Sequence, residues 1–168
     1  MNIRKPLKED RDAITLAAEL FQKGYQSQMD GDLDEAIDLY TQSIDIYPTA
    51  EAHTFLGWTY SFQGRLDDAI TECKKAISVD PDFGNPYNDI GAYLIEKELY
   101  DDAIPWLEKA IHARRYESYH YPHYNLGRAY MAKGMMKKAL QEFQEALALS
   151  PEYSLASDAA DQLRRLIN

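Results

Sequence analysis

The stretch AEAHTFLGWTYSFQGRLDDAITECKKAISVDP, residues 50–81, reads as two short helices joined by a turn. Leu56, Gly57 and Tyr60 fall in the first helix, Gly64 at the turn, and Ala69, Cys73 and Ala76 in the second, which Pro81 closes. In the second helix Ala69, Ile70, Cys73, Ala76 and Ile77 recur at i, i+3 and i+4, the spacing of one buried helical face. Small residues at Gly57 and Ala69 let the two helices approach closely, while Leu56, Tyr60 and Cys73 fill the space around them. Asp67 and Asp68 open the second helix, where its positive end favours acidic side chains. Proline ends the pattern because it cannot continue a helix.

The same spacing returns along the chain. The alanine of the second helix recurs as Ala36, Ala69, Ala103 and Ala139, and the glycine of the first as Gly24, Gly57, Gly91 and Gly127. Four residues after each alanine stands a larger side chain: Tyr40, Cys73, Leu107 and Phe143. A further column holds Ser43, Ala76, Ala110 and Ala146, and Pro48, Pro81 and Pro151 close three of the repeats. Gly31, Gly64 and Gly134 mark turns inside repeats, and the acidic pairs Asp34-Glu35 and Asp101-Asp102 match Asp67-Asp68.

These residues resemble the tetratricopeptide-repeat family, whose run of Leu-Gly-x-x-Tyr, Ala, aromatic and Pro is met most fully by Leu126-Gly127-Arg128-Ala129-Tyr130, Ala139, Phe143 and Pro151. Four in-phase matches make a specific signal where one would not. The resemblance implies an all-α fold, a right-handed superhelical array of antiparallel helix pairs. The repeats fall at about 17–49, 50–83, 84–119 and 120–153 in a single domain spanning 10–168. Residues 154–167 read as an amphipathic capping helix, with Leu155, Ala156, Ala159, Ala160, Leu163 and Ile167 on its apolar side. Residues 1–9 read as a flexible tail, and the opening helix is expected to begin near Asp10 and to be longer than the others.

The chain departs from the family pattern in several places. Lys23 and Ser27 stand where leucine and tyrosine are preferred, Glu98 replaces a turn glycine, and Pro105 sits about one turn into a second helix. The third repeat loses its closing proline and gains two residues within HARRYESYHYPHY (112–124), where a longer helix end and a restart at Pro122 are expected. In the fourth repeat Lys137-Lys138 replace the acidic pair.

Composition narrows the functions. A net charge of −10 over 168 residues leaves no basic stripe of the kind nucleic acid requires. No run of about 18 apolar residues occurs, so no membrane insertion is expected. The charged start MNIRKPLKEDRD lacks the apolar core of a signal peptide, and the expected location is cytoplasmic. Cys73 is the single cysteine, so neither an internal disulfide nor a cysteine-rich zinc site can form. It occupies a packing column and reads as an inert core thiol. His112, His120 and His123 have no acidic or thiol ligand beside them in the sequence and read as surface histidines. No nucleophile–base set, phosphate loop or metal-binding helix motif occurs, so neither an enzyme nor a cofactor is expected.

In tetratricopeptide proteins the first helices line a concave groove in which a peptide lies. The resemblance carries that surface onto Phe21, Tyr25, Glu51, Phe55, Trp58, Phe62, Asn85, Asn88, Asp89, Glu96, Tyr121, Tyr124, Asn125 and Arg128, with Gln28 also among the inward positions. Seven of these are aromatic, the residue type that gives large contact area for little entropy. With Glu51, Asp89 and Glu96 beside them, the set suits a protein or peptide partner that is apolar and carries some positive charge. Chaperone binders of this family clamp a terminal carboxylate with lysine, arginine and asparagine. Phe21, Tyr25, Phe55, Asn85 and Asp89 stand at those positions here, or in the next frame Thr54, Trp58, Asp89, Tyr121 and Asn125, so no carboxylate clamp is expected. The expected function is a non-catalytic interaction adaptor. The alternative is an assembly subunit that forms a homo-oligomer through its ends or groove.

Overall fold

The computed structural model describes residues 8–167, and among them nine α-helices. These are α1 (Lys8–Asp30), α2 (Leu33–Ile46), α3 (Ala50–Phe62), α4 (Leu66–Val79), α5 (Asn85–Glu96), α6 (Tyr100–His112), α7 (His120–Ala132), α8 (Met136–Leu149) and α9 (Ser154–Ile167). Contacts divide the chain after Asp80 into two compact halves. In the amino-terminal half α1 pairs with α2 and α3 with α4, and α2 lies against α3. In the carboxy-terminal half α5 pairs with α6 and α7 with α8, α6 lies against α7, and α9 against α8.

The sequence columns are the contacts of each hairpin. The second-helix residues Ala36, Tyr40, Ser43, Ala69, Cys73, Ala76, Ala103, Leu107, Ala110, Ala139, Phe143 and Ala146 are all buried. Each first-helix glycine faces the larger side chain of its partner helix. A Cβ at Gly91 would lie 2.4 Å from Leu107 Cδ2, and one at Gly127 2.4 Å from Phe143 Cε1. At Gly57 the partner Cys73 is small, and the obstacle is instead the Ala69 carbonyl oxygen, 2.9 Å away. The Ser43 hydroxyl, in a column otherwise held by alanine, donates to the Ala17 carbonyl at 2.7 Å, so its burial leaves no orphan polar group.

The four intra-repeat turns share one closure. The left-handed residue donates back three positions (Gly31 to Gln28, Gly64 to Ser61, Glu98 to Ile95, Gly134 to Met131) and the next residue donates back five. Gly31, Gly64 and Gly134 hold φ of 87°, 74° and 73°, and Glu98 holds 61° with a side chain attached. Tyr47 and Asp80 leave their helices in extended conformation, the region forced on a residue before proline, and Ser150 lies beside it at φ −143° and ψ 87°. Helix α6 continues through Pro105.

Four expectations are corrected. The inserted residues do not lengthen α6, which ends at His112. The segment 113–119 forms a loop instead: the Arg115 N–H donates to Asp82 at 2.9 Å, and the Arg115 carbonyl accepts from Gly84 at 3.0 Å. Tyr116 buries over Gly84, where a Cβ would meet its ring at 2.5 Å, and Tyr119 donates to the Ala113 carbonyl at 2.8 Å. These bonds satisfy the loop backbone more fully than a frayed helix end would. Helix α7 starts at His120, two residues before Pro122, which sits in the first turn where its missing N–H has no intrahelical partner to lose. The buried stripe of α9 is also narrower than the pattern suggested. Ala156, Ala160 and Leu163 are buried against α8, while Leu155 and Ile167 are exposed. At the amino terminus the helix already includes Lys8 and Glu9, and residues 1–7 lie outside the described residues.

Candidate functional site

In the amino-terminal half the expected aromatic residues form one connected ladder. Spacings of three and four residues place Phe21 and Tyr25 on one face of α1, and Phe55, Trp58 and Phe62 on one face of α3. Phe55 is the hub, with ring centroids 5.2 Å from Phe21, 5.8 Å from Tyr25 and 5.6 Å from Trp58, and Trp58 lies 5.3 Å from Phe62. Phe21 and Phe55 are half-buried and rest on the fully buried Tyr40, at 5.5 and 6.1 Å. Tyr25, Trp58 and Phe62 keep 39%, 38% and 56% of their surface exposed.

The base of the ladder is polar and buried. The Tyr40 hydroxyl donates to Gln28 Oε1 at 2.8 Å, and the Thr59 hydroxyl lies 3.1 Å from the same oxygen. Burial, with Tyr25 nearby, pushes the Tyr40 phenol far above its usual range, so it remains a donor at any physiological pH. Gln28, expected on the inward surface, is therefore buried structure. Glu51 stands one turn before Phe55, at an apolar cleft of about 230 Å³ that Ile14, Ala17, Phe21 and Tyr47 also line.

In the carboxy-terminal half the expected residues form two groupings. The first is a hydrogen-bonded chain: Arg128 Nη1 donates to Asn125 Oδ1 at 3.0 Å, Asn125 Nδ2 to Asn88 Oδ1 at 3.0 Å, and Asn88 Nδ2 to Asp89 at 3.3 Å. Asn88 and Asn125 are buried, so they form the floor of this face. Burial pushes the Asp89 carboxyl up to about 7, against the opposing pull of the Asn88 amide. The second grouping gathers Tyr121 and Tyr124 around Tyr153, at 5.6 and 5.2 Å, with the His120 ring tilted 4.1 Å from that of Tyr121. Tyr153 was absent from the sequence-based set. Its signal is a position two residues past the closing Pro151, which Phe83 also occupies relative to Pro81. Asn85 opens onto a separate cleft of about 400 Å³ lined by Phe83, Arg114, Arg115 and Tyr116, and Glu96 is exposed at the last turn of α5.

Two histidines form pairs that the sequence did not reveal. His53 Nδ1 lies 2.7 Å from Glu72 with both side chains buried, and His123 Nδ1 lies 2.8 Å from Glu142. His123 is thus a paired, half-buried residue, because the second helix of its hairpin brings a carboxylate to it. The two pairs occupy one structural column, with a separation of 19 residues in each. The same separation gives Tyr87 and Trp106 in the third hairpin, at 6.1 Å, and Leu20 and Leu39 in the first. Burial would raise the Glu72 carboxyl, but hydrogen bonds from His53 and Lys75 hold it below the ordinary glutamate value. Among the described residues no group of three or more histidine, cysteine or acidic side chains could hold a metal ion, and no helix is long and apolar enough to cross a membrane.

Models of the tetratricopeptide repeat match residues 12–50, 50–83 and 120–153. The chain belongs to the tetratricopeptide-repeat family. Its all-α tetratricopeptide fold is shared with a solved structure of Pseudomonas aeruginosa pilF, at TM-score 0.83 and 22% identity over 93% of this chain and 69% of that one. The first tetratricopeptide domain of Spaghetti (RPAP3), solved with the HSP90 peptide SRMEEVD, aligns at TM-score 0.66 and 20% identity over 71% of this chain and 93% of that one. Among curated proteins, an SGT1 homolog of Oryza sativa subsp. japonica is 33% identical over 97 residues, 57% of this tetratricopeptide chain and 26% of the relative. The chain spans about a quarter of the length of this relative and of a small glutamine-rich tetratricopeptide repeat-containing protein of Mycosarcoma maydis.

Proposed function

We propose that the protein is a non-catalytic adaptor that holds an apolar segment of a partner protein against the aromatic ladder of α1 and α3. The observation that carries this reading is the exposure of Tyr25, Trp58 and Phe62 on rings that are themselves anchored. Phe21 and Phe55 fix the ladder to Tyr40, so its outer rings have little freedom left to lose on binding. A protein of net charge −10 favours a partner segment with positive charge and disfavours nucleic acid. Binding of a peptide by a domain of the same fold, as in the HSP90-peptide complex of the RPAP3 domain, supports the class of ligand. The acidic end of that peptide would meet Phe21, Tyr25 and Phe55 here where a carboxylate clamp needs cations, so a different sequence is bound.

Trp58→Ala combined with Phe62→Ala tests this reading, because both side chains are exposed and their loss leaves the hairpin core intact. Capture of partners from lysate is expected to disappear while the melting temperature stays within about 2 °C, as for other surface changes. Capture that survives the double substitution refutes the ladder as the site. A concentration-dependent sedimentation coefficient that the same substitutions abolish would assign the ladder to a second copy of the chain instead.

A further inference from the structure

Helix α9 caps the carboxy-terminal half with one face and leaves another uncovered. Ala160 and Leu163 are buried with Phe143 of α8, while Leu155 and Leu166 keep 52% and 66% of their surface exposed. Gln162 and Leu166 follow Leu155 by seven and eleven residues, about two and three helical turns, so the three form one stripe along α9. Asp158 and Arg165 stand together on one flank of that stripe, and with Gln162 and Leu166 they line a surface cleft of about 420 Å³. Arg164 is bonded to Asp161 at 2.7 Å, whereas the side chains of Asp158 and Arg165 have no polar partner among the described residues. Seven residues set these two about 10 Å apart along the axis, beyond the reach of the i, i+3 and i, i+4 pairs of one helix.

We propose that this face of α9 is a self-association surface, covered by α9 of a second copy laid antiparallel to it across a twofold axis near Asp161. The placement of the charges carries the inference. Asp158 stands three residues before position 161 and Arg165 four after, so a twofold axis there sets each aspartate opposite the arginine of the other copy, within one helical rise of about 1.5 Å. Leu155 and Leu166, six residues before and five after, meet each other across the same axis. Gln162 faces its own copy, and its amide can donate and accept at once. A parallel pair would set Asp158 against Asp158 and Arg165 against Arg165, so the charges select the antiparallel arrangement. They also give locally opposite charge to two molecules that each carry −10 and repel one another at longer range. Two leucines from each copy make a small contact, so the dimer is of the weak, concentration-dependent kind. The surface belongs to α9 alone and does not depend on the adaptor reading, whose ladder lies on α1 and α3.

Sedimentation velocity over a series from micromolar to millimolar protein tests the arrangement with four chains: the wild type, Asp158→Lys, Arg165→Glu and the combined exchange. The wild type is expected to pass from monomer to dimer as concentration rises. Each single substitution sets like charges opposite one another on both sides of the axis and should weaken dimerisation by about tenfold. The combined exchange restores opposite charges on both sides and should recover the wild-type constant within about threefold. Both substitutions run against the dipole of α9, so that recovery cannot come from a firmer helix. Leu155→Ser with Leu166→Ser leaves every charge in place and should abolish the dimer, with circular dichroism showing that the chain keeps its helix content. A wild type that stays monomeric at every concentration overturns the proposal. So does a combined variant that associates no better than the single ones, or a leucine variant that dimerises like the wild type. Association lost in Trp58→Ala with Phe62→Ala but kept in all the α9 variants overturns it too, and moves the contact between copies to the ladder.

Discussion

The close approach of α5 to α6 is open to a quantitative test by a double-mutant cycle at Gly91 and Leu107. A methyl group at Gly91 would lie 2.4 Å from Leu107 Cδ2 and 2.5 Å from Cγ, where carbon atoms rest at about 3.5–4.0 Å. Leu107 cannot swing away, because it is fully buried among Ile95, Ala103, Leu126 and Ala129. Gly91→Ala should therefore cost about 3 kcal/mol in overpacking, offset by about 1 kcal/mol of helix propensity, for a net loss of about 2 kcal/mol. Leu107→Ala alone leaves a cavity and should cost about 3 kcal/mol. Combined, the clash disappears and the new methyl occupies part of the vacated space, so the double variant should lose only about 2 kcal/mol. Its stability would exceed the additive expectation by about 3 kcal/mol, the upper end for residues in contact. Urea unfolding followed by circular dichroism on the four proteins measures all three terms. The pair Gly57 and Cys73 is the control. A Cβ at Gly57 is blocked by the Ala69 backbone oxygen at 2.9 Å, which truncating Cys73 cannot move. That cycle should be additive within about 0.5 kcal/mol. Additivity at Gly91 and Leu107, or equal coupling in both cycles, would refute the account of what separates the helices.

Further outcomes are expected at the turns and at the buried carboxylate. Glu98→Gly should stabilise the protein by about 0.5–1 kcal/mol and raise its melting temperature by about 2 °C, since φ of 61° strains an L side chain, while Gly64→Ala should do the reverse. The Glu72 carboxyl is held below its ordinary value of 4.5 in the folded state. Its contribution to stability is thus fully present above pH 4.5 and lost as pH falls through the lower folded value, and Glu72→Gln should flatten that part of a stability–pH profile. His53→Ala should cost about 2 kcal/mol, below the roughly 3–5 kcal/mol of a fully orphaned buried charge, because Lys75 remains bonded to Glu72.

The hairpins were legible in the sequence because their contacts obey a fixed spacing of small against large residues. Gly91 announces that something must come close, and Leu107 lies in the one column that fills the gap. The aromatic ladder was legible for a similar reason: Phe55, Trp58 and Phe62 share a helical face, and one template places all three. What escaped was whatever depends on two helices at once without a repeated residue type. His53 and Glu72 share a column with Tyr87 and Trp106, chemically unlike, so no conserved letter marks the position. The loop 113–119 escaped because its hydrogen bonds run to residues 82–84, some thirty positions earlier, beyond the reach of local propensity. Asn88 and Asn125 were named as lining residues, yet a sequence could not say that they would bond to each other and become floor.

The column shared by His53–Glu72, Tyr87–Trp106 and His123–Glu142 gives neighbouring hairpins different locks. A chain made of near-identical repeats risks closing a first helix onto the wrong second helix, or onto that of another molecule, because the small-to-large columns match everywhere. Were α5 to close on α4, Tyr87 would face Glu72 and leave a carboxylate buried without its histidine; were α3 to close on α6, His53 would meet Trp106. Each error strands a polar group away from water. A position silent to repeat detection thus acts as a proofreading mark, and exchanging the two kinds of lock between hairpins should scramble assembly without altering a single residue of the shared pattern.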